Sequence, residues 1–201
     1  MIESVSASPL RKPRADGLRN RQKLLDAAKA AFADANGEVS LEEIARRAGV
    51  GIGTLYRHFP TRDVMVEAVY RNEVQHLAES VERLVADLPP IEALRAWLHQ
   101  CLDYVATKRL MAPALASLVG GPTELYAASG VMMTNAITRL VEHGKAVGEI
   151  RDDVEPGDVF RGLVGLTYGS ADPGWSASAR RLIDILIAGL SAPAKPLPAR
   201  P

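Results

Sequence analysis

Apolar residues along this chain recur at intervals of three and four, and strict alternation of apolar and polar positions is nearly absent. That period belongs to helices with one buried stripe, not to strands. Leu24, Leu25, Ala28, Ala31 and Phe32 form the first stripe and predict a helix over 18–35, stopped by Asn36-Gly37; glycine reaches the left-handed conformation that ends a helix without steric cost. Ser40 opens a second helix, with Leu41, Ile44, Ala45 and Ala48 on its inner face and Gly49 at its end. Ser40 and Glu43 have capping-box spacing: the hydroxyl accepts from the Glu43 amide and the carboxylate reaches back. A short third helix lies within 50–60 and stops at Pro60, whose ring does not fit a helix interior. Val50, Leu55 and Phe59 would close a three-helix core.

Thr61 is a suitable cap for a long fourth helix over 62–88, with Val64, Met65, Ala68, Val69, Leu77, Val81 and Leu84 on its apolar side. Pro89-Pro90 ends it, and the same periodicity predicts helices over 91–108, 111–119, 122–146, 156–169 and 176–190. The fold class is therefore all-α: an N-terminal three-helix head with a helix-turn-helix, and a helical body. The fourth helix joins the two without a flexible linker. The chain divides into a basic flexible arm (1–17), the head (18–60), the body (61–191) and a Pro-rich flexible tail (192–201).

Composition adds little until charge is placed along the chain. The net charge of the 201 residues is zero, but residues 1–62 hold 11 Lys and Arg against 7 Asp and Glu. The remainder holds 24 − 11 = 13 against 24 − 7 = 17. A basic front on an acidic remainder suits a head that binds a polyanion. Arg11, Lys12 and Arg14 give the arm a basic cluster that could reach a minor groove or remain solvated. One cysteine, Cys101, allows no internal disulfide. The histidines His58, His76, His99 and His143 are scattered and lack acidic ligands in a metal-binding pattern. No cofactor is expected, and no nucleophile–base set argues for an enzyme. No apolar run is long enough to span a bilayer, so no membrane association is expected and the expected location is cytoplasmic.

The outer face of the third helix carries the chemistry. An ordinary surface helix would present Lys, Glu and Gln; this one presents Thr54, Tyr56, Arg57 and His58, beside Gly51 and Gly53. Such side chains hydrogen-bond to phosphates and base edges, and glycine allows close approach of another backbone. The alternative is that Tyr56 packs into the head and His58 is a solvated helix end.

Ala30-Ala31-Phe32, Ile44-Ala45-Arg46-Arg47-Ala48-Gly49-Val50, Gly53-Thr54-Leu55-Tyr56-Arg57-His58-Phe59 and Arg62-Asp63-Val64-Met65 occur here in one order and spacing. Together, over about residues 18–70, they resemble the DNA-binding head of the TetR family of bacterial transcription regulators. Two departures stand out: Gly51 replaces the usual capping Ser or Thr, and Arg62 the commoner Lys. Beyond residue 70 the resemblance is architectural, with Gly148-Glu149-Ile150-Arg151-Asp152-Asp153-Val154 similar to a turn of family C-terminal domains.

The resemblance implies a ligand-responsive repressor that binds a palindromic operator in double-stranded DNA as a homodimer and is released by a small-molecule effector. Activation, a non-regulatory interaction module and an enzyme in the body are the alternatives. The implied DNA-binding residues are Ser40, Leu41, Gly51, Gly53, Thr54, Tyr56, Arg57, His58 and Arg62. Trp97, Cys101, Tyr104, Met111, Met132, Met133 and Tyr168 are candidates for an effector cavity, and each could equally be core. The family pairs its last two helices across a dimer. Gly162, Leu163, Gly165, Leu166, Ile183, Leu186, Ile187 and Leu190 would supply that interface, with intrachain packing as the rival role.

Overall fold

A computed structural model describes residues 13–34, 39–168 and 174–191. In chain order the described helices are α1 (Pro13–Asp34), α2 (Leu41–Ala48), α3 (Ile52–His58), α4 (Arg62–Asp87), α5 (Pro90–Leu110), α6 (Ala112–Ala116), α7 (Thr123–Val147), α8 (Pro156–Tyr168) and α9 (Trp175–Leu190). The extended backbone pairing among these residues is one isolated bridge between Ile150 and Ser191.

Helix α1 starts at Pro13, earlier than the expected residue 18. Proline needs no hydrogen-bond partner in a first turn, so Pro13 opens the helix instead of preceding it. Part of the expected arm is thus helical, and Arg11, Lys12 and the 192–201 tail lie outside the described residues. The predicted 111–119 helix is confined to Ala112–Ala116. Leu118 donates to Leu115 O in a tighter turn that closes the helix, and Gly120 and Gly121 then take φ of 83° and 76°, a left-handed bend that keeps it from resuming before α7.

Two apolar cores organise the chain. The first joins Leu24, Phe32, Ile44, Leu55 and Phe59 of the head to Met65, Val69, Tyr70 and Val74 of α4. Met111, Ala114, Leu115, Leu118 and Leu125 belong to the same core, so it continues past residue 60. The second holds Leu77, Val81 and Leu84 of α4 with Trp97, Leu98, Ile137, Leu140, Leu163, Ile183 and Ile187. Helix α4 thus runs through both. Burying a side chain such as Leu55 or Phe59 is worth about 1.5–3 kcal/mol. The head therefore has little reason to move independently of the first half of α4. Lys29 Nζ of α1 also meets Glu73 Oε2 of α4 at 2.5 Å.

The α7 terminus is set by Gly148 in the left-handed conformation, φ 80°, with Glu149 N donating to Gly144 O at 3.0 Å. Ile150 is thereby driven against Gly144. A Cβ built there would sit 2.6 Å from Ile150 Cγ1, so only glycine fits this contact as it stands.

Candidate nucleic-acid interface and effector cavity

The head's outer face is built by α2, a three-residue turn and α3. Gly49, at φ 62°, donates its amide to carbonyls of α2 and turns the chain, and Val50 N then bonds Ala45 O at 3.0 Å. Gly51 caps α3 without a side-chain bond; its carbonyl accepts from Thr54 N at 2.8 Å and Leu55 N at 3.1 Å. Leu55 and Phe59 turn inward and are buried, which leaves Ile52, Gly53, Tyr56 and Arg57 exposed and Thr54 and His58 partly so.

Ser40 caps α2 as expected, its Oγ accepting from Glu43 N at 3.2 Å. The return half of the capping box is absent. The Glu43 carboxylate is turned to Arg46 and Arg47, 2.7 and 2.8 Å away, because those cations on the next helical turn bind it better than an amide does. These bonds, Arg46 first, lower the Glu43 pKa to about 2. Leu41 is buried, so any part it plays at a phosphate must come through its backbone.

Tyr56 is exposed rather than in the core, and its hydroxyl donates to Glu42 Oε1 at 2.8 Å across the two helices. The Glu42 carboxyl is held below the usual range by its own backbone amide and then by this hydroxyl. The bond to Glu42 in turn raises the Tyr56 phenol. Sequence reasoning places Glu42 among the first amides of α2, which can hold a phosphate, but gives its carboxylate no role, although a carboxylate there opposite an exposed phenol is a natural orienting partner. Arg57 folds back on its own helix, donating to Gly53 O at 3.1 Å. The guanidinium of Arg62 donates to Ser117 Oγ at 3.1 Å and lies 5.2 Å from the Phe32 ring centre. Asp63 Oδ2 accepts from Val119 N at 3.1 Å, so the start of α4 holds the segment after α6.

A cavity of about 440 Å³ lies in the body where α4, α5, α7 and α8 meet. This size suits a small organic molecule. Of the expected candidates, Cys101, Tyr104 and Met133 line it. Burial raises the Cys101 thiol well above its usual pKa, which argues against thiolate chemistry there.

Trp97, Met111 and Met132 are not among its walls. Trp97 shares the face of α5 that carries Cys101, but there α4 covers it: the ring is fully buried and its indole N–H donates to Leu77 O at 3.0 Å. Met111 and Met132 pack with the head's core. The side chain of Tyr168 lies outside the described residues. Sequence reasoning missed Tyr70, Lys108, Arg109 and Tyr126, which also form the walls. The spacing Cys101, Tyr104, Lys108 continues one helical stripe, and following it one more turn would have found the lysine.

The last two helices divide the expected interface residues. Leu163, Ile183 and Ile187 are buried in the body's own core, which corrects their assignment to a dimer face. Leu166, Leu186 and Leu190 are partly buried against that core. Gly162 and Gly165 are exposed on α8, and α9 exposes Leu182 and Ile185, the latter at 67% of its surface. Period alone marks a helix as two-sided; it does not say which apolar side meets the chain's own core. Among the described residues no helix is long and apolar enough to cross a membrane, and no group of three His, Cys, Asp or Glu could hold a metal ion.

This arrangement agrees with the comparisons to known proteins. Residues 24–69 match the profile of bacterial regulatory proteins of the tetR family, and residues 89–192 that of the SbtR-like transcriptional regulator C-terminal domain. The HTH-type transcriptional regulator BetI of Yersinia pestis is 36% identical over 69 residues, which are 34% of this chain and 35% of that relative. The chain thus spans about a third of the length of these curated relatives.

Solved structures match over far more. The TetR transcriptional regulator SCO0520 from Streptomyces coelicolor is 45% identical, with a TM-score of 0.77 over 87% of this chain and 99% of that one. The TetR transcription regulatory protein from Mycobacterium vanbaalenii is 30% identical, with a TM-score of 0.73 over 90% and 100%. Both the head profile and near-complete structural coverage lead to one assignment: the chain belongs to the TetR family of bacterial regulatory proteins.

Proposed function

We propose that this protein is a non-enzymatic, cytoplasmic transcriptional repressor that binds a near-palindromic operator as a homodimer and is released by a small molecule. The observation that carries the reading is the outer face of α3: Tyr56 and Arg57 are exposed and Thr54 partly so, outside a core closed by Leu55 and Phe59. In this reading Thr54, Tyr56, Arg57 and His58 contact the groove and its phosphates. Ser40 and the first amides of α2 hold a phosphate, and Gly51 and Gly53 let the DNA backbone come close. Arg62 adds a phosphate contact. The dimer forms through the exposed side of α8 and α9, at Gly162, Gly165, Leu182 and Ile185, with Leu166, Leu186 and Leu190 flanking. Two-fold symmetry then sets half-sites about 34 Å apart, or a small multiple of that.

The test is selection of bound fragments from genomic DNA, followed by titration of one selected palindrome at rising salt. The expected result is binding of two protomers per palindrome with an affinity that falls steeply with salt. Equal binding to a shuffled sequence, or a salt-independent affinity, overturns the reading. Control by an effector requires reciprocity: whatever factor the effector weakens operator binding by, the operator must weaken effector binding by the same factor. Equal effector affinity for free and operator-bound protein overturns the control by release.

A further inference from the structure

The cavity's charge is its least explained property. Among the described residues that wall it there is no carboxylate, while Lys108 and Arg109 both stand there. Elsewhere in the body cations pair with acids: Arg139 with Glu82, Lys145 with Glu142, Arg151 with Asp153 and Arg180 with Asp103. Lys108 instead meets rings. Its Nζ lies 3.7 Å from the Tyr126 ring centre and 5.8 Å from that of Tyr70. Arg109, exposed beside it, lies 5.7 Å from the Trp175 ring.

We propose that the cavity binds an amphipathic carboxylate, its anionic head between Lys108 and Arg109 and its apolar body against Met133, Phe160, Leu163 and Val164. This rests on the reading of the cavity as the effector site and adds the chemical class of the effector.

Three arguments support it. A half-buried ammonium without an acid loses hydration that ring faces only partly replace; burial accordingly lowers the Lys108 pKa. A carboxylate would restore the charged form with a charge-assisted bond, stronger than a neutral hydrogen bond. A cationic ligand would add a like charge to two present, and a neutral one would leave Lys108 uncompensated. The remaining wall is apolar, and about 440 Å³ exceeds what a head group alone would fill.

The test uses the full chain and three probes of equal length: decanoate, decanol and decylammonium, titrated calorimetrically below their micelle concentrations. Decanoate should bind about tenfold or more tighter than decanol, and decylammonium weakest, since a hydrogen bond to a charged group is worth about a factor of ten or more. Lys108→Met should remove most of the decanoate preference and leave decanol within about twofold. Arg109→Gln, at an exposed position, gives the same reading if Lys108→Met does not fold. Equal affinities, preference for the ammonium, or no decanoate binding overturns the carboxylate assignment. Decanoate that binds in the expected order yet leaves an operator complex intact upholds the ligand class and overturns the regulatory reading of the cavity.

Discussion

Replacing Gly53 with alanine should move stability and DNA binding in opposite directions. Gly53 is the second residue of α3 and is exposed, and a Cβ built on it meets nothing within 4 Å. The fold therefore gives no steric reason for glycine. Alanine in a helix is favoured over glycine by about 0.5–1 kcal/mol, and the first turn should realise the lower end of that range. A gain of about 0.5 kcal/mol should raise Tm by about 1–2 °C for a chain of this length. If the open space is where the DNA backbone comes, the methyl group must instead overpack the complex, at about 1 kcal/mol or more per head. Two heads on one operator make about 2 kcal/mol, or roughly thirtyfold in Kd. Thermal melting and fluorescence anisotropy on a selected palindrome measure the two quantities on one sample. A variant that is more stable and binds operator as tightly as the parent refutes the close-approach role of Gly53. One that loses both refutes the claim that the fold leaves room there.

The contact of Gly144 with Ile150 predicts a change of sign in chemical denaturation. Gly144→Ala should destabilise by about 1–2 kcal/mol, since overpacking outweighs helix propensity, but stabilise in an Ile150→Gly background, where the opposing Cβ is gone as well; the same sign in both backgrounds would show that the Ile150 side chain is not the obstacle. Acid titration tests the head's surface: Glu43 has a folded pKa lowered from 4.5 to about 2, so its contribution is present above the unfolded value and lost as pH falls through the folded one. Glu43→Gln should flatten that acid limb of the stability curve, and an unchanged limb would discount the Arg46 and Arg47 pairing. Arg62→Ala should weaken operator binding across sequences and lower the salt slope by about one ion per protomer; an unaltered slope with a lower Tm would give Arg62 a structural part, its contacts with Ser117 and Phe32 included, and no phosphate.

Much of this was legible where local chemistry decides. Ser40, Gly49, Pro60 and Thr61 mark boundaries by backbone rules that need no distant partner, and the stripe through Leu24, Ala28 and Phe32 is buried as its period requires. The failures were of tertiary origin. Period cannot distinguish Leu163, Ile183 and Ile187, turned to the chain's own core, from Leu182 and Ile185, turned to solvent, because both sides of α9 are apolar. Nor could it place Trp97 under α4 and Lys108 beside Tyr126, since each depends on which helix crosses α5 at that turn. Capping-box spacing also misled at Glu43, because Arg46 and Arg47 offered that carboxylate a better partner.

The proposed control follows from where α4 changes cores. Its residues up to Val74 pack with the head, and from Leu77 onward with the body. Tyr70, 2% exposed, belongs to the head's core and also faces the cavity, where its hydroxyl accepts from Tyr104 at 2.7 Å. A ligand against Lys108 and Tyr126 therefore presses on a ring already packed among residues that support Leu55 and Phe59. Close packing transmits such a displacement because there is no free volume to absorb it. At the start of the same helix, Arg62 and Asp63 hold Ser117 and Val119, so the segment between α6 and α7 must follow α4 or release it. Tilting α4 carries α3 with it and changes the separation of two heads in a dimer. In the proposed control the α3 face thus needs no contact with the effector, only a shared core.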